Sequence, residues 1–429
     1  MSNPFARLFQ TELGKAGLEV LRRLNRAGYA AYFVGGCVRD SVLGRALKDV
    51  DIASSATPGQ VLELYPDAIP TGLQHGTVTV RSGGFTFEVT TFRAESEYTD
   101  GRRPDTVSFI DSIEGDLERR DFTMNAMALS VDGTLIDPYG GSEDLERKVL
   151  RCVGDPALRF GEDALRMLRC VRFAAEYKLT VDERTWREAL AGAPGLSRIA
   201  MERVRMELER MMSGADPYRA VRLLAESELL RWTKTRLRFP RQLGVVDSDA
   251  DPLTELPRLP DTIQRWALWL HRMGLSASEA SGAVSSLRGS RAFAEDAQKL
   301  IGLHDTLSTV PAQHAESAWK TAVVGFAKET AVRWLPIASA LQAYDGYRWT
   351  SPYAEHGCRW LEEMGVTALS ELAVDGRTLM EALNKKGGPW LSHLLKRLLF
   401  EASLNRVPNE SGALIARARE MAEEGDSQQ

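Results

Sequence analysis

Near Lys148 the sequence changes its period, and that change limits what the chain can fold into. Upstream, short runs at 31–34 and 50–53 read as strands, and apolar and polar residues alternate at 77–80 and 85–92. Alternation with period two marks half-buried strands, and Ser82-Gly83-Gly84 between two such runs predicts a hairpin. Segments 107–110 and 127–131 are further strand candidates. Residues 14–27 carry helical spacing through Leu18, Leu21 and Leu24, and Gly28 ends the pattern. Downstream of Lys148 the strand signal fades. Helices are expected over 157–177, 181–191, 199–212, 217–230 and 390–404, and a Pro- and Asp-rich stretch at 238–261 reads as a boundary. The expectation is an α+β chain: a small mixed sheet with helices on one side, followed by an all-helical remainder. Residues 423–429 are expected to be disordered.

Bulk properties narrow the function class. The net charge of -5 is no global polyanion signal, so any nucleic-acid surface must come from basic residues gathered on one face. Between 151 and 240, 18 Lys and Arg stand against 13 Asp and Glu, a local excess in an acidic chain. The four cysteines lack CxxC spacing, which points to a reducing compartment rather than a zinc or disulfide framework. No apolar run is long enough to span a bilayer, and Met1-Ser2-Asn3-Pro4-Phe5 lacks the pattern of a secretory signal. A cytoplasmic protein without a membrane partner is expected.

Chemistry concentrates in three clusters. In the first, Gly35-Gly36, Arg39 and Asp40 are followed nine residues later by Asp49-Val50-Asp51. In a strand, residues two apart face the same way, so Asp49 and Asp51 could share a hard cation such as Mg²⁺, with water and phosphate completing its shell. The glycines let backbone approach a phosphate, and Arg39 adds a positive fork. A metal pair beside a triphosphate suits in-line nucleotidyl transfer. DxD alone is common at strand ends; the longer spacing is what makes the cluster specific. The second cluster, Glu118-Arg119-Arg120-Asp121-Phe122-Thr123-Met124-Asn125-Ala126, places two arginines, a carboxylate and an amide where a ribose and phosphates could sit, or forms a charged helix start. In the third, Glu162-Asp163-Ala164-Leu165-Arg166 continues to Arg169 and Arg172, a stripe that recurs every three residues on a helix. The plain alternative is a solvated salt-bridge ladder.

Together these clusters resemble the signatures of the polymerase β-like nucleotidyltransferases, and in particular the class II tRNA nucleotidyltransferases, the CCA-adding enzymes, with the bacterial poly(A) polymerases as relatives. The resemblance is specific from about residue 32 to 212. It continues to the tail, where Leu372-Ala373-Val374-Asp375-Gly376 and Gly387-Gly388-Pro389-Trp390 look like the shorter Gram-positive-type enzymes. It implies a seahorse of four parts: a catalytic head at 1–147, a neck at 148–215, a body at 216–320 and a tRNA-binding tail at 321–429. It implies that Asp49 and Asp51 hold two Mg²⁺ ions, and that Gly35, Gly36, Arg39, Arg120, Asp121 and Asn125 contact the incoming nucleotide, with Asp121 on the sugar. Glu88 is the candidate for a third catalytic carboxylate. Asp163 and Arg166 match the family's nucleotide-selecting motif, Arg169 and Arg172 are expected to assist, and Ala200 to Glu209 resembles the helix that buttresses them.

The base-selecting assignment has a chemical reason. Cytosine and adenine each show an exocyclic amine donor beside a ring-nitrogen acceptor. Asp163 can accept from the amine and Arg166 can donate to the ring nitrogen. Uracil and guanine present the opposite pattern, and a hydrogen-bonded site rejects such mismatches strongly. CTP and ATP could therefore be taken and UTP and GTP refused without a template.

The expected activity is CCA addition to the 3′ end of tRNA. His75-Gly76-Thr77-Val78-Thr79-Val80 and the acidic C-terminus argue against poly(A) synthesis, and the loop at 93–105 is too complete for CC-only addition. A-addition alone, with a separate CC-adding partner, is the alternative within the class. A non-catalytic RNA-binding protein on the same frame is the alternative outside it. His304-Asp305 with His271 is a faint echo of a metal phosphohydrolase and carries no assignment. RNA contact is expected along the helical part, including Lys385-Lys386-Gly387-Gly388-Pro389, Lys396 and Arg397. A monomer or weak homodimer is expected.

Overall fold

The structure, a computed structural model, describes residues 5–95, 107–237 and 251–426. Most of the 93–105 loop and much of the 238–261 stretch lie outside the described residues. The chain forms two compact units, 1–237 and 238–429, and the division falls where the Pro- and Asp-rich stretch begins.

The first unit is built on strands β1 (Ala31–Val34), β2 (Asp51–Ser54), β3 (Ile69–Gly72), β4 (Thr77–Ser82), β5 (Phe85–Thr91), β6 (Arg93–Glu95), β7 (Val107–Phe109), β8 (Ala128–Leu129) and β9 (Leu135–Ile136). Seven of them make one sheet in the order β3-β4-β5-β2-β1-β8-β9, with β6 and β7 paired separately. The sheet is mixed: β2 runs parallel to β5 and antiparallel to β1. The expected hairpin is present between β4 and β5, where Gly83 and Gly84 both have positive φ (56° and 82°), the backbone of a two-residue turn.

Helices of this unit are α1 (Ala6–Gln10), α2 (Glu12–Arg26), α3 (Gly36–Val42), α4 (Pro58–Leu64), α5 (Ile113–Glu118) and α6 (Gly141–Glu146). Then come α7 (Pro156–Glu162), α8 (Leu165–Glu176), α9 (Glu183–Gly192), α10 (Met201–Ser213) and α11 (Pro217–Ser227). Thr11 caps α2 by accepting from the Gly14 amide at 3.0 Å. Val20, Leu21 and Leu24 bury its apolar face. Gly17 lets that face lie on the sheet: a Cβ there would sit 2.9 Å from the Phe33 ring. Leu165, Leu168 and Val171 likewise bury one side of α8 against its neighbours α10 and α11.

Three expectations change. Asp49 precedes β2 rather than lying in it, so its relation to Asp51 is set by the irregular segment entering the strand and not by the strand pleat. The single helix expected over 157–177 is broken at Asp163, whose backbone is extended (φ -141°, ψ 102°). Its carboxylate accepts from the Leu165 amide at 3.0 Å, a local bond that competes with the helical ladder. Finally, residues 423–426 continue a helix, Ser411–Asp426, where disorder was expected.

The second unit, in its described residues, is helical: α12 (Thr262–Arg272), α13 (Ala277–Ser286), α14 (Arg291–Ser308), α15 (Ala315–Phe326), α16 (Lys328–Leu341), α17 (Ser351–Glu362), α18 (Gly376–Leu383), α19 (Pro389–Ser403) and α20 (Ser411–Asp426). Trp266, Trp319, Trp334 and Tyr353 fill one core, with His304 among them. Leu379, Leu398, Leu414 and Ala418 form a second core where α18, α19 and α20 meet. Among the described residues no helix is long and apolar enough to cross a membrane.

Candidate active site

The centre of the sheet brings the first cluster together. Strand pairing sets Asp51 opposite Val34 on one side and opposite Glu88 on the other. The residue after Val34 is Gly35, so the glycine turn, Asp51 and Glu88 meet at one edge. Gly35 has φ of 69°, which favours glycine, and a Cβ there would lie 3.0 Å from Nη1 of Arg120. Arg120 is held in turn by Asp116, to whose Oδ2 its Nη2 donates at 3.0 Å. Asp116 is 1% exposed and also grips Arg119 at 2.7 Å.

Asp51 keeps contact with solvent, yet protein crowds its carboxyl enough to raise its pKa to about 6. Partial burial is the leading cause, the like charges of Asp49 and Glu88 add to it, and Arg120 opposes them. A divalent cation relieves such a field, and carboxylate oxygens are the donors Mg²⁺ prefers. The donor set therefore fits a metal site. Among the described residues no three acidic, His or Cys side chains close on one point. Glu88 lies beside Asp51 without completing a cage, and substrate phosphates and water are the usual remainder of such a shell.

A chain of hydrogen bonds joins the three clusters. Arg39 Nη1 donates to Asn125 Oδ1 at 2.6 Å, and Asn125 Nδ2 donates to Asp121 Oδ1 at 3.0 Å. Asp121 Oδ2 accepts from Arg169 Nε at 2.8 Å and pairs with its Nη2 at 2.6 Å. Burial pushes the Asp121 carboxyl up, but Arg169, the Asn125 amide and Arg166 outweigh it, and the pKa falls to about 2. Asp121 is an ionised hub at 7% exposure, with both oxygens engaged.

The third cluster forms only part of the stripe its spacing suggests: Arg166, Arg169 and Arg172 recur every three residues along α8, but Asp163 lies before its start. Asp163 is gripped by Arg203 of α10, whose Nη2 donates to Oδ2 at 2.6 Å and Nη1 to Oδ1 at 3.3 Å. Arg166 donates to Glu162 and, at 2.9 Å, to the Arg119 carbonyl, tying the third cluster to the second. Arg172 donates to Glu207 at 2.6 Å and to Glu176 at 3.2 Å. It is 8% exposed and lies over the Phe173 ring, so its polar groups serve the helix packing.

Sequence reasoning assigned no role to Asp116 or Glu162 by themselves, and it placed Arg203 and Glu207 only within the segment Ala200 to Glu209 that resembles the buttressing helix. The pairing of Asp116 with Arg120 was legible as an i,i+4 spacing. Arg203 reaches Asp163 across 40 residues, a pairing that spacing alone does not reveal.

Comparison with known proteins agrees with this geometry. Residues 31–151 match the poly(A) polymerase head domain, and 178–233 match a probable RNA- and SrmB-binding site of polymerase A. The sheet and its carboxylates are thus a nucleotidyltransferase head. Residues 258–418 match a putative second domain of tRNA nucleotidyltransferases. The CCA-adding enzyme of Geobacillus thermodenitrificans is 36% identical over 408 residues, covering 95% of this chain and 96% of the relative. That of Limosilactobacillus reuteri is 33% identical with the same coverage. The crystal structure of the Bacillus stearothermophilus CCA-adding enzyme in complex with CTP superposes with a TM-score of 0.82 at 33% identity, covering 100% of both chains. The chain belongs to the family of CCA-adding enzymes, the tRNA nucleotidyltransferases.

Proposed function

We propose that this enzyme adds C, C and A in turn to the 3′ end of tRNA, from CTP and ATP, without a nucleic-acid template. The observation that carries the reading is the bonded network running from the carboxylate edge of the sheet to Asp163 and Arg166, within a chain similar end to end to CCA-adding enzymes. Nothing favours A-addition alone or a non-catalytic role.

Asp49 and Asp51 would hold Mg²⁺, with Glu88 beside them. Bound there, the metal would make the RNA 3′-hydroxyl a better nucleophile and neutralise charge on the triphosphate. Arg120 and Arg39 orient the phosphates, and Asp121 and Asn125 fix the position of Arg39 and the sugar. Asp163 presents its carboxylate to the base amine. Its Oδ1 accepts from Leu165 and Arg203 and its Oδ2 from Arg203, which leaves an acceptor position on Oδ2. Arg166 donates to the ring nitrogen, and Arg169 supports Asp121. No side chain acts as a covalent nucleophile, so positioning and charge supply the catalysis. The chain divides into head, neck, body and tail at 147, 215 and 320, and the basic residues of the tail hold the tRNA. It works in the cytoplasm as a monomer or weak homodimer.

The test supplies tRNA ending at the discriminator base, and separately tRNA ending in CC, with CTP, ATP and Mg²⁺. Growth of the first by CCA supports the proposal. Extension of the second alone means A-addition, and no incorporation means a non-catalytic protein.

A further inference from the structure

The segment that carries the catalytic carboxylates is thinly anchored. After α3, the chain from Arg45 to Val50 has no regular secondary structure, and Ala46, Lys48 and Asp49 are exposed. Val50 is buried at one end, and Arg45 is the polar anchor at the other. Arg45 does not reach back to the sheet. Its guanidinium carbon lies 4.5 Å from the centroid of the Tyr177 ring, and its Nη2 is 4.0 Å from Glu176. Tyr177 closes the C-terminal end of α8, the helix that begins beside Asp163.

The same ring holds a second arginine. The Arg39 guanidinium carbon lies 4.4 Å from the Tyr177 centroid and 5.7 Å from that of Phe173. Arg39 also bonds Asn125, and Asp40 accepts both from Arg39 Nε and, through its carbonyl, from the Arg45 amide at 2.8 Å. One aromatic ring thus braces two cations that flank the glycine turn and the carboxylate segment. Cation–π contacts are strongest where water is excluded, and Tyr177 is half-buried.

We propose that Tyr177 is a positioning residue for nucleotidyl transfer: with Arg39 and Arg45 it fixes the Asp49–Asp51 segment to the far end of the base-reading helix. The inference rests on the function proposed above. The ring acts and the hydroxyl does not, so Tyr177→Phe keeps the brace and Tyr177→Leu removes it.

The test compares wild type, Tyr177→Phe, Tyr177→Leu and Arg45→Met on tRNA ending at the discriminator base. Displacing a reacting group by about an ångström costs on the order of 100-fold, so Tyr177→Leu should lower kcat roughly 10- to 100-fold for both CTP and ATP. The Mg²⁺ concentration for half-maximal rate should rise. Binding of Mn²⁺ to the protein without nucleotide, read by electron paramagnetic resonance, should weaken in step. Preference for CTP over UTP should stay within twofold, because Asp163 and Arg166 sit at the other end of α8. Tyr177→Phe should restore all of these readouts. Arg45→Met removes one cation and leaves the ring, so it should move the same readouts in the same direction; it decides the matter if Tyr177→Leu does not fold. Wild-type rate and Mn²⁺ affinity in both Tyr177→Leu and Arg45→Met would overturn the proposal. So would equal loss in Tyr177→Phe, or loss of base preference along with rate. If wild type adds nothing to tRNA, the function proposed above fails; if wild type is active and the variants match it, only this inference fails.

Discussion

Replacing Arg203 by methionine isolates what holds Asp163, the base-reading carboxylate of the function proposed above, in place. Arg203 makes two bonds to Asp163, at 2.6 and 3.3 Å, and without them Asp163 keeps the bond from the Leu165 amide. The longer bond counts for little. A hydrogen bond between charged groups contributes about 1.5–3 kcal/mol, and the pair retains solvent access (side chains 23% and 16% exposed), so about 1–2 kcal/mol is the reasonable range. If that energy is what keeps Asp163 aimed at the base amine, its loss should lower preference for CTP over UTP by about 5- to 30-fold, at 1.36 kcal/mol per tenfold. The rate with CTP should fall less, because the carboxylates on the sheet are untouched. Single-turnover incorporation of labelled CMP and UMP into tRNA ending at the discriminator base measures both. Asp163→Ala should remove more of the preference than Arg203→Met. A variant at position 203 that still refuses UTP and GTP as wild type does would refute the reasoning.

Three further perturbations bear on separate parts of the molecule. Glu88→Gln should raise the half-saturating Mg²⁺ concentration several-fold while leaving base preference intact, as followed by rate against Mg²⁺. Asp121→Asn removes the main counter-charge of Arg169, whose side chain is 30% exposed, so the loss should be about 1–3 kcal/mol and the thermal midpoint should fall by a few degrees in calorimetry. Burial and the neighbouring His271 lower the His304 pKa to about 3, against 6.5 for the free side chain. The unfolded chain therefore binds the extra proton first. This group's contribution to stability is complete above pH 6.5 and is lost as pH falls from 6.5 towards 3, by up to about 1.4 kcal/mol per unit. Urea unfolding followed by tryptophan fluorescence at pH 7 and pH 5 should show a smaller loss in His304→Phe than in wild type; equal losses would contradict it.

The parts of the site that were legible in the sequence are those whose geometry is local. Gly35 is required by a positive φ and by the closeness of Arg120, and its position before Asp49 and Asp51 marked the turn. Asp49 and Asp51 were read as partners because they are two apart, and although Asp49 lies outside β2 its charge still acts on Asp51. Glu88 was a candidate only through family resemblance, since nothing in an alternating strand says which strand lies next to it. The parallel pairing of β2 with β5 supplies the register that sets it opposite Asp51. The third cluster shows the opposite limit. A three-residue recurrence of charge predicted one helical face, but a carboxylate that can bond a nearby backbone amide can also end a helix, and Asp163 does. Once the helix starts at Leu165, each charged residue turns to its own partner: Asp163 to Arg203, Arg166 to Glu162, Arg169 to Asp121, Arg172 to Glu207.

Those partnerships give the break at Asp163 a functional sense. On a continuous helix, Asp163 and Arg166 would stand one turn apart and could satisfy each other, leaving nothing for a base to complete. With Asp163 extended and gripped from α10, and Arg166 drawn towards Glu162 and the Arg119 carbonyl, the two groups are held apart by separate anchors. Under the function proposed above, a base edge would bridge them, and its donor and acceptor would both have to match for the bridge to form. The same anchors connect α8 to the nucleotidyltransferase head, since Arg119 and Arg120 share Asp116, and Arg120 lies in the field of Asp51. In that proposal, base choice and metal chemistry would be linked through these charged contacts. That linkage predicts the order of damage: substitutions at Arg203 or Glu162 should alter which nucleotide is taken, and substitutions at Asp116 should slow the transfer of every nucleotide alike.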